Sequence, residues 1–498
     1  MSFSPWKRAL TVLAVACISL STLAQNLVGQ PYTASMGITE TVDQIMAREV
    51  LMRNDQMKEG SQENKFRPNK APMEGLDGAT YPPNEKATND RMPYVFGTVG
   101  LQFDSANLND TGALPPDSMG DVGPTQYLVA LNGRVRVHNK TTGALGALNT
   151  GLDTFFNSVR GGAGCSDPRV RFDRLTNKWY VICITVAFPN RVVLAVSSGP
   201  TITGTSSFTF FQFQQDTVTP AGNTGQLLDY PTFGVDANAI YIGGNMFTSA
   251  SFQGMSAWVI RKSSVQATGP MVVSVFRNIT PAAGAGMFTP QGCHNDDPAA
   301  TTGYFIGVDN SVFSRLVVRR VSNPGGTPTL SANLNITVPT TTNPQDFVPF
   351  GSGRNVDTLD DRTYNAYVRP NPITGQPTIW TAHAIETNSA GVGTTAGDRN
   401  SARWYEIENI NATPSLRQSG TMVDPAATNA ARFWVPSVAV NGQGHMLIGA
   451  SAANSTNLRL STAYAGRFAT DPLGTTQPHA LLTTATQSYT SPGGDNPM

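Results

Sequence analysis

The chain contains 498 residues, and its 34 lysines and arginines balance its 34 aspartates and glutamates. A neutral chain lacks the positive field that draws proteins to nucleic acid or anionic lipid, so neither partner is expected. Charged residues make up 14% of the chain, against about 25% in typical soluble domains. The 47 glycines and 34 prolines favour many short strands joined by turns rather than helices.

The first residues have the features of a secretory signal peptide. Lys7 and Arg8 form a positive n-region, and residues 9–20 form an apolar stretch that is too short to span a bilayer. Small residues ending at Ala24 provide a cleavage site. We therefore expect a signal peptide over 1–24, secretion to the extracellular space or the periplasm, and no membrane span in the mature chain. An uncleaved anchor is the alternative.

Three cysteines remain after such a cleavage, and all three are disulfide candidates: Cys165, Cys183 and Cys293. Export permits one disulfide among them and leaves one thiol over. The sequence alone leaves all three pairings open. Their spacing is not that of a zinc site.

The region 25–93 differs from the rest of the chain and is predicted to be a leader or pro-segment. Val42, Ile45 and Met46 have helical spacing, and Thr39 or Thr41 is a suitable cap for that helix. A polar, proline-containing stretch over 57–93 follows and is expected to be flexible. The predicted organisation is a signal peptide (1–24), a helical or disordered leader (25–93) and a β-propeller-like domain (94–498).

From residue 94 onward the sequence repeats a unit of an aspartate, a strand, a tight polar turn and a more apolar strand. The leading aspartates are Asp121, Asp167, Asp229, Asp297 and Asp361, at intervals of 46, 62, 68 and 64 residues. Two further strands follow in many units, and four antiparallel strands per unit are typical of a propeller blade. The sequence predicts an all-β fold, a β-propeller of about six or seven four-stranded blades. The alternative is a β-sandwich or an irregular two-domain β protein.

A set of short segments carries a family resemblance. The segments are Pro115 to Pro124, Ser166-Asp167-Pro168, Asp229-Tyr230-Pro231, Asp361-Arg362, Arg403-Trp404-Tyr405-Glu406, 434–439 and 466–474. As a set, from Pro115 to the end, they resemble an uncharacterised family of large secreted bacterial β-propeller-like proteins. The resemblance implies a sialidase-like architecture and a secreted protein, and it brings no assigned activity.

The chain departs from that family in two ways. Members continue with a Trp-Gly-Asp-Tyr-Ser segment and another blade where this chain ends, so the last blade is expected to be incomplete or replaced by an N-terminal strand. The sialidase motif S-x-D-x-G-x-T-W does not occur, and neither do the nucleophile-elbow, zinc-protease and nucleotide-binding motifs. A sialidase activity is therefore not expected.

The leading aspartates are the main candidate functional residues. The first strand of each propeller blade lines the central axis, so side chains at the leading ends are expected to converge on one face. The candidate ligand-binding residues on this face are Asp121, Asp167, Arg169, Asp229, Tyr230, Asp297, Arg362 and Trp434. Clustered carboxylates divide acid and base roles or bind Ca²⁺, for which Asp167, Asp229 and Asp297 are the candidates. Alternatively, each aspartate accepts backbone N–H groups of its own turn.

Two functions fit these observations. The first is an extracellular binding module that recognises a glycan or a protein through the axial face and requires no cofactor. The alternative is a carbohydrate-active enzyme that uses a pair of axial aspartates. The first requires no catalytic motif, and none is found, so it is preferred. Two carboxylates facing each other in an open pocket would favour the enzyme, and carboxylates tied to backbone groups would favour binding.

Overall fold

The computed structural model describes residues 26–52, 66–78, 80–81, 97, 99–249 and 251–489. These residues form six consecutive sheets of four to six strands, and the first strands of successive sheets contact one another around a common axis. The fold is therefore an all-β propeller with six blades, which confirms the predicted fold class. The predicted signal peptide, its cleavage site and most of the stretch 57–93 lie outside the described residues.

The described part of the leader contains three short strands and the longest of the helices. These are β1 (Leu27–Val28), β2 (Tyr32–Thr33), β3 (Ile38–Thr41) and α1 (Val42–Met52). No helix in the described ranges is long and apolar enough to cross a membrane.

The first three blades follow in chain order. Helix α2 (Leu108–Thr111) precedes blade 1, which consists of β4 (Met119–Val122), β5 (Gln126–Leu131), β6 (Arg134–Asn139) and β7 (Leu145–Thr150). Helix α3 (Leu152–Phe155) leads to blade 2, which consists of β8 (Cys165–Asp173), β9 (Lys178–Thr185), β10 (Arg191–Ser197) and β11 (Ser207–Gln214). Blade 3 consists of β12 (Leu227–Asp229), β13 (Gly234–Val235), β14 (Ala239–Phe247), β15 (Phe252–Arg261), a 3₁₀ turn (Lys262–Val265) and β16 (Val272–Pro281).

The last three blades complete the ring. Blade 4 begins with β17 (Met287–Gly292); the next strand, β18 (His294–Asn295), joins blade 5, and blade 4 continues with β19 (Thr302–Asp309), β20 (Arg315–Ser322), β21 (Thr329–Leu330) and β22 (Leu334–Thr337). Blade 5 adds β23 (Thr363–Pro370), β24 (Pro377–Thr387), β25 (Arg399–Glu408) and β26 (Ser415–Met422). Blade 6 consists of β27 (Arg432–Val440), β28 (Met446–Ala453), β29 (Ser461–Arg467) and β30 (Ala480–Thr483).

The hydrophobic core lies between the blades rather than at the axis. Trp179 packs between blades 1 and 2, Trp258 between blades 2 and 3, and Trp404 between blades 5 and 6, and all three are fully buried. Central strands have neighbours on both faces, so all nine residues of β14 are buried. This packing explains why the second strand of each repeat is the more apolar one.

The leader strands extend three of the blades. Strand β1 pairs with β21 of blade 4, β2 with β16 of blade 3, and β3 with β11 of blade 2, all antiparallel. The helix predicted in the leader is confirmed as α1. Its capping box joins Gln44 N to Thr41 Oγ1 at 3.2 Å and Thr41 N to Gln44 Oε1 at 2.8 Å. Val42 and Ile45 are fully buried in the core between blades 1 and 2.

A second part of the leader, residues 66–78, which we call the anchor segment, contacts blades 3, 4 and 5. Phe66 stacks on Phe252 at 4.2 Å between ring centroids. Ala71 N donates to Ser311 O at 2.8 Å. Lys70 forms a buried ion pair with Asp361. The predicted boundary at residue 93 stays a prediction, because residues 82–96 lie outside the described ranges.

Residues 97 and 99–112 lie between the last blade and the first. On the side of blade 6, the Tyr464 hydroxyl donates to Gly97 O at 3.4 Å. On the side of blade 1, Phe103 packs against the ring of His138, with centroids 4.9 Å apart. The space between blades 6 and 1 is therefore partly filled by irregular backbone, and a cavity remains beside it.

Candidate functional site

A cavity of about 750 Å³ opens at the axis, beside the gap between blades 6 and 1. We call it the axial cavity. The residues that matter for its chemistry are Asp117, Arg169, Tyr230, Tyr364, Ser437 and Tyr464. They come from the segment before β4, from β8, from the turn after β12, and from β23, β27 and β29. The leading ends of β8, β23 and β27 therefore meet here, and Arg169 and Tyr230 are the two predicted ligand-binding residues that line the cavity.

The floor of the axial cavity is a tyrosine ring held between two guanidinium groups. The Arg169 and Arg362 guanidinium carbons lie 4.4 and 4.5 Å from the Tyr230 ring centroid. Arg362 is fixed by Asp360, to which Nε and Nη2 donate at 2.8 and 2.6 Å. Arg169 Nε donates to Pro231 O at 2.6 Å. Cation–π contacts of this kind contribute about 0.5–2 kcal/mol each, so the stack is a rigid surface. The guanidinium groups give this surface positive charge.

Asp167 links the starts of successive blades. It has a φ of +54°, a conformation that non-glycine residues rarely adopt. Its carboxylate accepts hydrogen bonds from Tyr230 N at 3.0 Å and Ser166 Oγ at 2.8 Å, while its own N–H donates to Asn132 Oδ1 at 2.9 Å. The Asn132 amide also donates to Asp117 at 2.6 Å. Asp167 therefore connects the Asn132 side chain of blade 1 to a backbone N–H of blade 3, which is a structural role.

Asp361 is buried, and its partner comes from the leader. Lys70 Nζ lies 2.5 Å from Asp361 Oδ1, and the two side chains are 0% and 1% exposed. Burial raises the pKa of Asp361, and the Lys70 charge opposes that rise. The Asp361 carbonyl is 2.7 Å from His383 Nδ1, and burial lowers the pKa of His383 to about 3, so this imidazole stays neutral.

Asp229 is buried at the end of β12.

Two of the predicted aspartates lie elsewhere. Asp121 is inside β4, where its carboxylate accepts from Val122 N at 2.7 Å and from Phe172 N at 2.8 Å, toward the far end of the axis. Asp297 is exposed after β18 and accepts from Ala299 N at 2.9 Å in its own turn. For Asp297 the reason is the register of the repeat. In blade 4 the first strand, β17, precedes Asp297 instead of following it.

Trp434 also does not face the cavity. Its side chain is fully buried and packs edge-on against Phe347, with ring centroids 5.4 Å apart. Its neighbour Val435, which has a φ of +48°, lines the cavity instead. The positive φ turns the backbone, so the period-two alternation of the strand does not predict which side chain points inward.

The sequence reasoning missed several residues of the site. Asp117 lies in the segment Pro115 to Pro124 that carries the family resemblance, so that segment was the available signal. Asp360, two residues before the predicted Arg362, fixes its guanidinium. Asn132 and Lys70 lie in no repeated motif, because their partners are distant in sequence.

The three cysteines are free thiols in this structure. Cys165 and Cys183 are in contact on β8 and β9, and burial raises the pKa of Cys183. Cys293 lies in a different core cluster, and burial raises its pKa too. Of the three possible pairings, Cys165 with Cys183 is the one whose side chains the fold brings together.

No group of three or more His, Cys, Asp and Glu side chains that could hold a metal ion occurs among the described residues. Calcium at Asp167, Asp229 and Asp297 stays a prediction from the sequence.

No family model matches the chain, and no curated protein matches it. Solved structures are similar in part. A neuraminidase-like protein of a little yellow-shouldered bat strain is 9% identical, over 70% of this chain and 94% of that one, with a TM-score of 0.36. An α-L-arabinanase from Penicillium chrysogenum, complexed with arabinobiose, is 11% identical over 72% and 94%, with a TM-score of 0.36. An exo-β-1,3-galactanase from Clostridium thermocellum is 11% identical over 70% and 74%, with a TM-score of 0.32.

Proposed function

We propose that this chain is an exported binding protein that recognises a glycan in the axial cavity. The observation that carries the proposal is the composition of the cavity wall. Three tyrosines, Tyr230, Tyr364 and Tyr464, line it together with one carboxylate, Asp117, and one guanidinium, Arg169. Sugar rings have apolar faces and polar edges, and a wall that combines aromatic rings with a few placed polar groups suits both.

The rigidity of the site also favours binding. Tyr230 is held between two arginines, and Asp167 fixes its backbone N–H. A site whose side chains are already held in place loses little conformational entropy when a ligand binds. The floor of the axial cavity is therefore preorganised.

The enzyme alternative requires two carboxylates on opposite sides of the scissile bond. Asp117 is the one carboxylate among the described lining residues. Asp167 accepts two hydrogen bonds, and Asp360 and Asp361 are paired with Arg362 and Lys70. These three carboxylates are thus occupied in holding the fold, and this is the reason for proposing binding rather than hydrolysis.

The test is a panel of immobilised polysaccharides incubated with the purified mature chain, with retained protein and released sugar measured on the same samples. Retention without release supports a binding module. Release of sugar would show the enzyme instead, and neither retention nor release would refute glycan recognition.

Two variants locate the site. Asp117→Asn keeps an acceptor for Asn132 and removes the charge, and Tyr464→Ala removes part of the wall. Each is expected to weaken retention about tenfold, the effect of losing one charged or aromatic contact. The matched control is Asp104→Asn, since Asp104 is exposed and does not line the axial cavity. Equal losses in all three variants would place the ligand elsewhere.

A further inference from the structure

A second cavity opens at the opposite end of the axis, where the first strands of several blades finish. We call it the far cavity. Its volume is about 390 Å³, and its polar lining residues include Asp121, Arg174, His294, Asp296, Tyr367 and His445. Leu447 is the one lining residue that it shares with the axial cavity. The far cavity is therefore a separate site with its own chemistry, and its ligand is independent of the proposed function.

Asp296 is the charged centre of the far cavity, and its own neighbours already neutralise it. Its carboxylate lies 3.0 Å from His294 Nε2, 3.1 Å from Arg369 Nη2 and 3.6 Å from Arg174 Nε. Burial raises the pKa of Asp296, but the His294 hydrogen bond and the two arginine charges outweigh it and lower the pKa to about 2. The carboxylate is thus ionised and only accepts, so His294 Nε2 carries the proton in this hydrogen bond.

Other polar groups in the far cavity lack partners among the described residues. His294 is 3% exposed, and its Nδ1 is buried without a hydrogen-bond partner. His445 Nδ1 accepts from Ala469 N at 3.0 Å, so Nε2 carries the proton and remains available as a donor. The Tyr367 hydroxyl has no hydrogen-bond partner among the described residues. The guanidinium carbons of Arg171 and Arg369 lie 5.4 and 5.3 Å from the centroid of the Tyr367 ring.

The charged residues that line the far cavity are balanced in number. Arg174 and Arg369 contribute two positive charges, and Asp121 and Asp296 contribute two negative charges. Arg171 lies outside the lining and adds a positive charge beside the Tyr367 ring. Asp121 uses both oxygens on backbone N–H groups. The unused hydrogen-bonding capacity therefore belongs mainly to donors: the Arg174 guanidinium, which is 67% exposed, the His445 Nε2 and the Tyr367 hydroxyl.

We propose that the far cavity is a second ligand site that binds an oxyanion, either a small free anion or the carboxylate or phosphate group of a larger ligand. Arginine binds such groups through charge-assisted hydrogen bonds, and the tyrosine and histidine donors complete the coordination. Arg369 balances the charge of Asp296 at 3.1 Å, so this carboxylate does not prevent an anion from binding beside Arg174.

NMR titrations test this proposal, one with inorganic phosphate and a separate one with acetate. The intact mature chain carries isotope-labelled histidine, and the ionic strength is held constant with sodium chloride. The chain has five histidines, so their ring signals are assigned by single substitutions. We expect the His294 and His445 signals to move along one saturable curve with at least one anion, while those of His138, His383 and His479 stay in place.

Two variants and a control decide whether the anion binds in the far cavity. Arg174→Ala is expected to weaken anion binding about tenfold, as loss of one charge-assisted hydrogen bond implies. His445→Asn retains an acceptor for Ala469 N and loses the Nε2 donor, so binding should weaken as well. Arg354→Ala removes one positive charge from an exposed position outside the far cavity and should leave binding unchanged. The proposal fails if neither anion saturates, if all five histidines respond alike, or if Arg354→Ala weakens binding as much as Arg174→Ala.

Discussion

The ion pair between Lys70 and Asp361 provides a test of how the anchor segment is attached to the propeller. The two side chains are 0% and 1% exposed, with 2.5 Å between Lys70 Nζ and Asp361 Oδ1. Lys70→Met keeps the length of the side chain and leaves a buried carboxyl without its partner. Breaking one side of a buried pair costs about 3–5 kcal/mol, whereas replacing both sides by neutral groups is often almost without effect. We expect Lys70→Met to be destabilising and Lys70→Met with Asp361→Asn to recover most of the loss.

The pH dependence of this loss has a defined sign. Burial raises the pKa of Asp361, and the charge of Asp360 adds to the rise, while Lys70 opposes it. Without Lys70 the pKa of Asp361 rises further. A carboxyl whose folded-state pKa is above its unfolded value reduces stability as the pH rises between the two values. The destabilisation by Lys70→Met should therefore be smallest below about pH 3, where the carboxyl is protonated in both states, and should increase as the pH rises toward 8.

Melting curves and hydrogen exchange measure the effect. Unfolding entropy is about 2.1 cal/mol/K per residue. For roughly 430 described residues, a loss of about 4 kcal/mol lowers Tm by about 4 °C. Backbone amides of the anchor segment should exchange faster, since the pair ties that segment to blade 5. The matched control is Arg67→Met in the same segment, because Arg67 and Asp346 are 38% and 37% exposed and such pairs contribute about 0–1 kcal/mol. Equal effects of Lys70→Met and Arg67→Met, or a double variant no more stable than Lys70→Met, would refute this reasoning.

Three further predictions concern the leader and the axis. Purified mature protein should begin at Gln25 in N-terminal sequencing, and an unprocessed N-terminus would contradict the signal peptide. Glu49→Gln should lower stability by about 1–3 kcal/mol at neutral pH, because Glu49 accepts from Arg134 Nη1 and Gly151 N, both at 2.9 Å. Burial raises the pKa of Glu49, but these contacts outweigh it and lower the pKa, so in melting curves the loss should disappear as the pH falls below about 4. Added Ca²⁺ should raise the Tm of the wild type more than that of Asp229→Asn, and the absence of any response in both proteins would exclude a calcium site there.

The features that the sequence predicted correctly are those with a local cause. The capping box of α1 needs only Thr41 and Gln44, three residues apart, followed by apolar residues at helical spacing. The blades are visible because each apolar second strand is buried on both faces and follows a polar turn. Tyr230 directly follows Asp229, and Arg169 lies two residues after Asp167. The two side chains meet because similar positions in the blades of a propeller converge on the axis.

The features that the sequence did not predict depend on register and on distant partners. Strand β17 reads Met-Phe-Thr-Pro-Gln-Gly, which lacks alternation and contains a proline, so the repeat pattern points to Asp297 instead. The pairing of β8 with β9 shifts register between Ser166 and Arg169, which turns Asp167 toward the backbone of blade 3. Packing between blades causes irregularities of this kind, and they produce no periodic pattern by which a single sequence would reveal them.

The leader strands show why a polar segment can still belong to the fold. The outermost strand of a blade presents unpaired N–H and C=O groups, which invite pairing with other chains unless they are covered. Strands β1, β2 and β3 cover that edge in three blades through main-chain hydrogen bonds, which require extended backbone but no particular side chains. Close approach imposes one sequence requirement: a Cβ atom at Gly37 would lie 2.6 Å from Thr209 Cγ2 and 2.7 Å from the Phe211 ring. Composition alone therefore predicts a flexible leader. A glycine next to a strand of two to four residues is the local sequence feature that indicates such pairing.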